Sequence, residues 1–363
     1  MRQKFEDILD IINGKNQKKV ENPNGKYPIY GSGGVMGYAD DYLCEANTVV
    51  IGRKGSINNP IYVEESFWNV DTAFGLVARK NVLLPRYLYF FCIHFDFDKL
   101  NTTVTIPSLT KANILKIEMD VPNIGEQKKI VDKLDSIVKL IQLQKEQIEK
   151  LDTLVKARFV EMFGDIFVTD SFPLVQLSEL ADIGSSKRIY ANEYVGEGIP
   201  FYRSKEVREL GTGLKPSIEL FIKPERYNEI KKKYGVPKIG DILIAAIGAT
   251  IGYTWIVDTE SPFYYKDGNL IILSVKDGVN SSFLNYVLGI LIADFKNKDA
   301  AGSAQLALTI EKLEKMQVVS PDIELQNQFA IFVRKVEKLK STTQQSIDEL
   351  QLLFDSLMQK YFG

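Results

Sequence analysis

Two long stretches of the chain carry a heptad pattern of apolar positions. In the first stretch the spacing alternates between four and three residues over positions 130, 134, 137, 141, 144, 148, 151, 155, 158 and 162, and eight of these ten are apolar. The corresponding positions from 329 to 361 are again apolar in eight of ten cases. Neither pattern is interrupted by Pro or Gly, so each predicts a helix of ~40 residues, roughly 60 Å long.

The ends and middles of these helices suggest how they pair. Asn123 and Glu126 have the spacing of a capping box, whereas Leu325 stands at the equivalent place after Asp322. Two apolar seams in one chain most simply bury each other, and globular segments alternating with helices favour an antiparallel pair. Gln144 and Thr343 lie near the two middles, where they could satisfy each other.

The chain is also an internal repeat. Residues 106–164 align without a gap on 305–363, with identical pairs such as Gln127/Gln326, and residues 5–34 align on 177–206. Within the globular segments, Asp71 corresponds to Asp267. A repeat of this size predicts approximate two-fold symmetry within one chain, which suits a two-part ligand. The predicted domains are residues 1–121, a helix over 122–164, a second domain over 165–320, and a helix over 321–363.

Each globular segment has the pattern of a mixed α/β domain. We expect short helices at 85–95 and 282–293, and an insertion near 205–240 in the second segment. A glycine-containing turn follows a strand in both segments, at 52–57 and 248–252; it could present backbone amides to a phosphate or serve hairpin geometry alone. The predicted strands are 48–52, 61–63, 75–77, 241–247, 252–257 and 270–275.

Composition excludes several classes of protein. Apolar content of 45% and charge of 25% are typical of a globular protein, and no apolar run reaches the ~20 residues of a membrane span. Two cysteines and one histidine predict neither a disulfide framework nor a zinc site. We find no P-loop and no metalloprotease or adenine-methyltransferase motif, and no signal peptide at the start, so we expect a noncatalytic cytoplasmic protein.

Charge is distributed unevenly. The net charge of −2 gives no overall attraction to nucleic acid, but residues 203–238 contain ten Lys or Arg against five Glu and no Asp. Tyrosines accompany these basic residues and those of the first segment. A basic cluster is commonly just a solvated surface; interleaved with aromatic residues it favours a nucleic-acid interface.

The chain resembles the specificity subunit of type I restriction–modification systems over essentially its whole length. The resemblance is carried by the repeat, by Tyr27-Pro28-Ile29-Tyr30-Gly31 and Ile199-Pro200-Phe201-Tyr202-Arg203, by the two glycine turns, by the segment from Ile106 to Ile130, and by the Phe-Gly pair closing each helix. The second copy departs from the family at Ser320–Gln326, where a Glu-Gln pair is usual.

This resemblance implies an α+β fold with two pseudo-symmetric target-recognition domains joined by two long antiparallel coiled-coil helices. Each domain would read half of a bipartite, asymmetric site on double-stranded DNA, with the helices setting the unread spacing. Two modification subunits would bring S-adenosylmethionine for adenine methylation, and restriction subunits would bring ATP and Mg²⁺.

Charge, turns and repeat position give candidate DNA contacts, with Arg or Lys serving guanine edges or phosphates and hydroxyls serving phosphates. Two other classes remain open: a coiled-coil scaffold that binds protein only, and a stand-alone enzyme. The candidates are Lys15, Tyr30, Ser32, Arg53, Lys54 and Ser56 in the first domain, and Lys187, Arg188, Tyr202, Arg203, Ser204, Lys205, Thr250 and Lys266 in the second.

Overall fold

The computed structural model describes residues 1–101, 107–168, 170–299 and 307–363. These residues form an α+β fold with two long helices, as predicted. They divide into two compact units, the first made of Met1–Glu149 with Ser341–Gly363 and the second of Lys150–Lys340. Ile106 and Gln305, where the longer repeat was predicted to begin, lie outside the described residues.

The first half of the chain supplies the sheets of the first unit. Its elements are β1 (Arg2–Lys4), α1 (Phe5–Ile8), β2 (Leu9–Asn13), β3 (Tyr27–Gly31), β4 (Gly34–Ala39), β5 (Thr48–Gly52), β6 (Ile61–Val63), β7 (Trp68–Asn69), β8 (Ala73–Ala78), α2 (Pro85–His94), α3 (Lys111–Leu115), β9 (Glu118–Asp120) and α4 (Ile124–Phe163), with a 3₁₀ turn at Phe97–Leu100.

Three sheets organise the first unit. A four-stranded antiparallel sheet has the order β2-β8-β5-β6, and its strand β5 is buried at every position, as its run of β-branched residues requires. A second sheet has the order β4-β3-β7, with β3 parallel to β7, and β1 pairs with β9. Helix α2 covers the large sheet with Leu88, Phe90 and Phe91.

The second half of the chain continues the element order. It contains β10 (Leu174–Gln176), α5 (Leu177–Leu180), β11 (Ala181–Gly184), β12 (Tyr194–Val195), β13 (Ile199–Tyr202), α6 (Ser204–Gly211), β14 (Phe221–Ile222), α7 (Pro224–Tyr234), β15 (Ile242–Ala245), β16 (Thr254–Ile256), β17 (Tyr264–Tyr265), β18 (Leu270–Val275), α8 (Ser281–Asp299), α9 (Ile310–Glu314), β19 (Gln317–Val319) and α10 (Ile323–Phe362), with 3₁₀ turns at Ala191–Glu193 and Gly248–Thr250.

The second unit repeats the topology of the first. Its large sheet has the order β11-β18-β15-β16, which matches β2-β8-β5-β6, and β13 runs parallel to β17 as β3 does to β7. Every predicted strand falls on an observed one, and both predicted short helices are present. The predicted insertion contains most of α6, then β14 and α7, so the two copies share a frame and differ in what is attached to it.

The heptad seams are the faces that the long helices bury, and they run antiparallel within each unit. In the first unit Ile137 and Ile141 of α4 pack against Ile347 of α10. In the second, Phe159 lies 5.3 Å from Phe329 between ring centroids, and Asp152 accepts from Lys340 at 2.8 Å. Each unit therefore contains part of both helices, and the four-part domain division given above stays a prediction.

One predicted contact between the helices is wrong in detail. The side-chain amide of Gln144 donates to the Ser346 hydroxyl at 2.9 Å, rather than meeting Thr343. Ser346 lies three residues further along the same helix, which is nearly one turn. The repeat placed the equivalent middles together correctly, but it did not fix the final register of the polar pair.

A buried glutamine fastens the start of each long helix. Gln127 is fully buried; its side-chain oxygen accepts from the Leu84 amide at 2.8 Å, and its nitrogen donates to the carbonyls of Val82 and Pro122. Gln326 makes the equivalent bonds to the Asn280 amide and the Pro321 carbonyl. The glutamine side chain thus joins the helix to the segment that opens α2 or α8.

Replacing Gln127 by leucine should destabilise the first unit by about 3 kcal/mol. The substitution keeps the size of the side chain but leaves buried backbone groups without partners, each worth ~1–3 kcal/mol. Denaturant unfolding measures the loss. The exposed Gln147 of the same helix, changed to leucine, is the matched control and should move stability by less than ~0.5 kcal/mol. Equal effects of the two substitutions would contradict this role of Gln127.

Candidate nucleic-acid interface

In the first unit, the parallel pair β3 and β7 brings two predicted residues together. Tyr30 pairs with Asn69 across these strands, and its carbonyl accepts from the Val70 amide at 3.0 Å. The Lys15 amide donates to the Asn69 carbonyl at 2.8 Å, which fixes Lys15 beside the same strand end. Tyr30 is half-buried, and burial raises the pKa of its hydroxyl.

The glycine turn after β5 lies against the same end of the unit. The Arg53 amide donates to the Thr72 carbonyl at 2.8 Å. A Cβ on Gly52 would meet the Ser56 carbonyl oxygen at 2.3 Å and Ser32 Cβ at 3.0 Å, so no larger residue fits between them. All six candidates of the first unit therefore gather around the ends of β3, β5 and β7.

The basic side chains at this end are not neutralised by neighbours. Lys15, Arg53 and Lys54 are exposed, and within the described part of the chain none of them forms an ion pair. The guanidinium of Arg53 lies 5.7 Å from the centroid of the Phe74 ring, which orients it without offsetting its charge. This surface can attract an anion without first breaking a salt bridge.

The second unit builds the same frame with β13 and β17. Tyr202 pairs with Tyr265, and the Lys266 amide donates to the Tyr202 carbonyl at 2.9 Å. The Lys187 amide donates to the Tyr264 hydroxyl at 2.7 Å. Arg188 is exposed and its Nε lies 2.7 Å from Asp267, the counterpart of Asp71. Tyr202 itself is buried in the core of this unit.

A network of ion pairs engages two further candidates, Arg203 and Lys205; the third, Ser204, lies between them in the sequence. Arg203 contacts Glu206 at 2.7 Å and Glu219 at 2.9 Å, and Lys205 contacts Glu219 at 2.6 Å. Glu206 hydrogen-bonds to Arg203 and raises the pKa of its guanidinium, while Lys205 and Arg203 lower that of Glu219. Ser204 is buried, so this cluster can contact a ligand only through Arg203 and Lys205. Both side chains must first break their ion pairs with Glu219.

The remaining candidate of the second unit lies on its glycine turn. Thr250 ends the 3₁₀ turn Gly248–Thr250, is half-buried, and stands where Lys54 to Ser56 stand in the first unit. Helix α6 packs against this turn. The second turn therefore offers the Thr250 hydroxyl, whereas the first carries two cations. In the first turn the amides of Arg53, Lys54 and Gly55 already donate to the carbonyls of Thr72 and Pro107.

Beside these residues the second unit has a cleft of about 640 Å³, lined in part by Ser185, Lys187, Tyr234, Lys238 and Asp241. The Lys187 ammonium lies 5.4 Å from the centroid of the exposed Tyr234 ring. Asp241 is buried at 8% exposure, and burial raises the pKa of its carboxyl. Its Oδ2 accepts from the Lys238 amide at 2.9 Å, which closes the loop at the cleft edge.

Sequence reasoning missed the hairpin that joins β3 to β4. The hairpin tip, residues 32–36, includes the exposed Val35 and Met36 at the start of β4. The chain turns at Gly34, where φ is +116°. The signal was present in Ser32-Gly33-Gly34, because a Gly-Gly pair between two short strands is typical of a tight hairpin. Within the described residues, no group of His, Cys, Asp or Glu side chains is placed to hold a metal ion.

Exchanging Asp241 for asparagine should change how stability depends on pH. A carboxyl whose folded-state pKa is raised adds stability below its ordinary pKa of 3.8, and that contribution is lost as pH rises through the higher folded value. The wild type should therefore lose stability relative to Asp241→Asn as pH rises from about 4. Unfolding curves across pH test this, with the exposed Asp277→Asn as control; a wild-type-minus-variant difference that is flat in pH would refute it.

Comparison with known proteins gives a consistent result along the sequence. A family model described as the type I restriction modification DNA specificity domain matches residues 2–153 and 170–352. A Haemophilus influenzae protein named as a type I restriction enzyme specificity subunit is 29% identical over 351 residues, covering 93% of this chain and 88% of that protein. A Mycoplasma pneumoniae protein named as a type I specificity subunit is 28% identical over 142 residues, covering 37% and 46%.

Solved structures share the fold. A crystal structure of a type I restriction–modification S subunit from M. genitalium superposes with a TM-score of 0.66 at 17% identity, covering 100% of this chain and 96% of that one. A chain from work on assembly and conformational transition of the type I system gives 0.60 at 16% identity, covering 100% and 97%. No helix among the described residues is long and apolar enough to cross a membrane.

Proposed function

The chain belongs to the family of type I restriction–modification DNA specificity domains, and we propose that it reads a bipartite, asymmetric DNA site with one half-site for each unit. This proposal rests on one observation: the two units share the order of their large sheets but differ in the elements attached to those sheets. The sheets β2-β8-β5-β6 and β11-β18-β15-β16 have the same order, while the elements that follow β3 and β13 differ.

That difference lies beside the candidate contacts. After β3 the chain turns at Gly34 into the hairpin strand β4, whereas after β13 it enters helix α6 at Ser204. A two-stranded ribbon and a helix both fit the major groove of B-DNA, but they offer different side chains to the base edges. Two units with one topology and two reading elements suit a site whose halves have different sequences.

Charge supports unequal roles for the candidates. Lys15, Arg53 and Lys54 are free cations in the described structure, so they meet DNA directly, with Arg53 serving a guanine edge and the lysines serving phosphates. Ser32 and Ser56 then offer hydroxyls to phosphates. The half-buried Tyr30 holds the end of β3 in place.

The second unit acts through Lys187, Lys266 and Thr250, and through Arg188 and Arg203 once DNA replaces their carboxylate partners. Lys205 becomes available to DNA together with Arg203, because both side chains pair with Glu219. The buried Tyr202 and Ser204 support these side chains from beneath. Contacts of this kind make binding fall steeply as salt rises.

Partners complete the activity in this proposal. The net charge of −2 leaves much of the phosphate neutralisation to other subunits. Two modification subunits would bring S-adenosylmethionine and methylate adenine, and restriction subunits would bring ATP and Mg²⁺ for translocation and cleavage. The chain itself is noncatalytic, works in the cytoplasm, and sets the spacing of the half-sites with its two long helices.

Methylation mapping tests the two-reader mechanism with one variant for each unit. Cells carrying the wild-type chain with its modification subunit should show adenine methylation at a bipartite motif. Arg53→Ala should relax one position in one half of that motif, by about 1–3 kcal/mol of discrimination, and Arg188→Ala should affect only the other half. A folded, partner-bound chain that supports no motif would favour a scaffold that binds protein only. Variants that both change the same half would instead contradict the assignment of one half-site to each unit.

Salt dependence separates phosphate contacts from base contacts. Lys15→Ala should weaken binding to all sequences alike and reduce the slope of log K against log salt by about 0.9, one phosphate contact. Titrations of the assembled complex on matched and unrelated duplexes measure both effects. Lys80, exposed beyond the opposite end of β8, is the control, and Lys80→Ala should leave the slope unchanged. A sequence-selective loss in Lys15→Ala would reassign Lys15 to base reading.

A further inference from the structure

The hairpin between β3 and β4 leaves three large side chains largely exposed to solvent. Val35 and Met36 are 54% and 63% exposed, and Tyr38 on the same strand is 47% exposed. At Val35 and Met36 the outer edge of β4 has no strand partner among the described residues, whereas further along the strand the Asn22 amide donates to the Tyr38 carbonyl at 2.9 Å. Exposed apolar side chains on an edge strand promote unwanted pairing, so a surface of this kind is commonly a binding site.

The position of Met36 is set by close contacts. A Cβ on Gly31 would lie 2.6 Å from Met36 Sδ and 3.5 Å from Val70 Cγ2, so the methionine side chain lies directly over the Gly31 backbone. Val70 leads into Asp71 and Thr72, and the Thr72 carbonyl holds the amide of Arg53. The apolar tip and the guanidinium therefore lie on the same end of the first unit.

The surrounding charge indicates the partner. Ser32, at the start of the tip, adjoins the glycine turn that carries Arg53 and Lys54, and the described residues give those cations no ion pair. A surface that combines free cations with small apolar groups matches DNA, whose phosphates flank the one apolar group on a base edge, the C5 methyl of thymine. A protein partner for these cations would have to supply acidic residues around an apolar contact.

Resting on the proposed function, we propose that Met36 and Val35 contact the C5 methyl groups of thymine in the half-site that the first unit reads. The Gly33-Gly34 turn keeps the tip narrow, so the ribbon can approach base edges in the major groove. Among the described residues of the second unit, no such hairpin follows β13. The chain of that unit enters α6 at the equivalent place with Ser204, Lys205 and Glu206, which are polar or charged, so methyl reading belongs to one half-site.

The test removes methyl groups from the DNA rather than atoms from the protein. Once methylation mapping has defined the site, the chain assembled with its modification subunits is titrated with duplexes in which single thymines are replaced by deoxyuridine. We expect about fourfold weaker binding at one or two thymines of the first half-site, the equivalent of ~0.8 kcal/mol for one buried methyl group. Deoxyuridine in the second half-site should have no effect.

Protein variants complete a double-mutant cycle. Met36→Ala should bind thymine and deoxyuridine duplexes equally at the sensitive position, because the methyl group then has no partner. Leu214→Ala is the matched control, since Leu214 is 62% exposed and lies in the second unit. This variant should keep the fourfold difference between the two duplexes.

The outcomes separate the two proposals. A complex that binds its mapped site but does not distinguish thymine from deoxyuridine in the first half-site overturns methyl reading and leaves the specificity role intact. A first half-site without any A·T pair, or a fourfold difference that survives both Met36→Ala and Val35→Ala, does the same. A complex that binds and methylates no site at all counts against the specificity role itself.

Discussion

The buried side chains of Gln127 and Gln326 are the interaction on which the rest of this structure depends. A long helix can hold a recognition surface in place only if the two are rigidly joined, and here one amide on each helix satisfies the backbone at the start of α2 or α8. Because these groups are away from water, no solvent molecule can take over a lost bond. The joint therefore fixes each sheet, and each glycine turn at its end, relative to the helix that begins beside it.

Sequence patterns predicted the frame well because periodicity and repetition report burial. The seam positions Ile137, Ile141 and Ile347 are buried as the heptad required, and the strand runs at 48–52 and 270–275 have the predicted bounds. The repeat also paired Asp71 with Asp267 and Tyr30 with Tyr202 correctly in the topology. Such features are local or repeated, so one sequence contains enough information to find them.

The candidate DNA-binding surface was less predictable, because its properties depend on neighbours that are distant in the chain. Arg203 and Lys205 looked like free cations, yet Glu219 binds both of them. Tyr202 and Ser204 carry polar atoms but lie in the interior. The exposed Val35 and Met36 were not singled out, because their proximity to Arg53, in the turn after β5, follows from strand pairing and not from order in the sequence. The predicted contact of Gln144 with Thr343 was wrong because the repeat does not fix the register between the two long helices. Gln144 donates to Ser346 instead.

The discontinuous first unit has a consequence for synthesis. Its aromatic core includes Tyr87 against Phe362 and Phe90 against Phe354, so the beginning of the chain waits for its last residues. The second unit, in contrast, is one continuous segment. Until α10 is available, the apolar face of α2 lacks part of its cover, and an exposed apolar surface of this kind favours aggregation during folding.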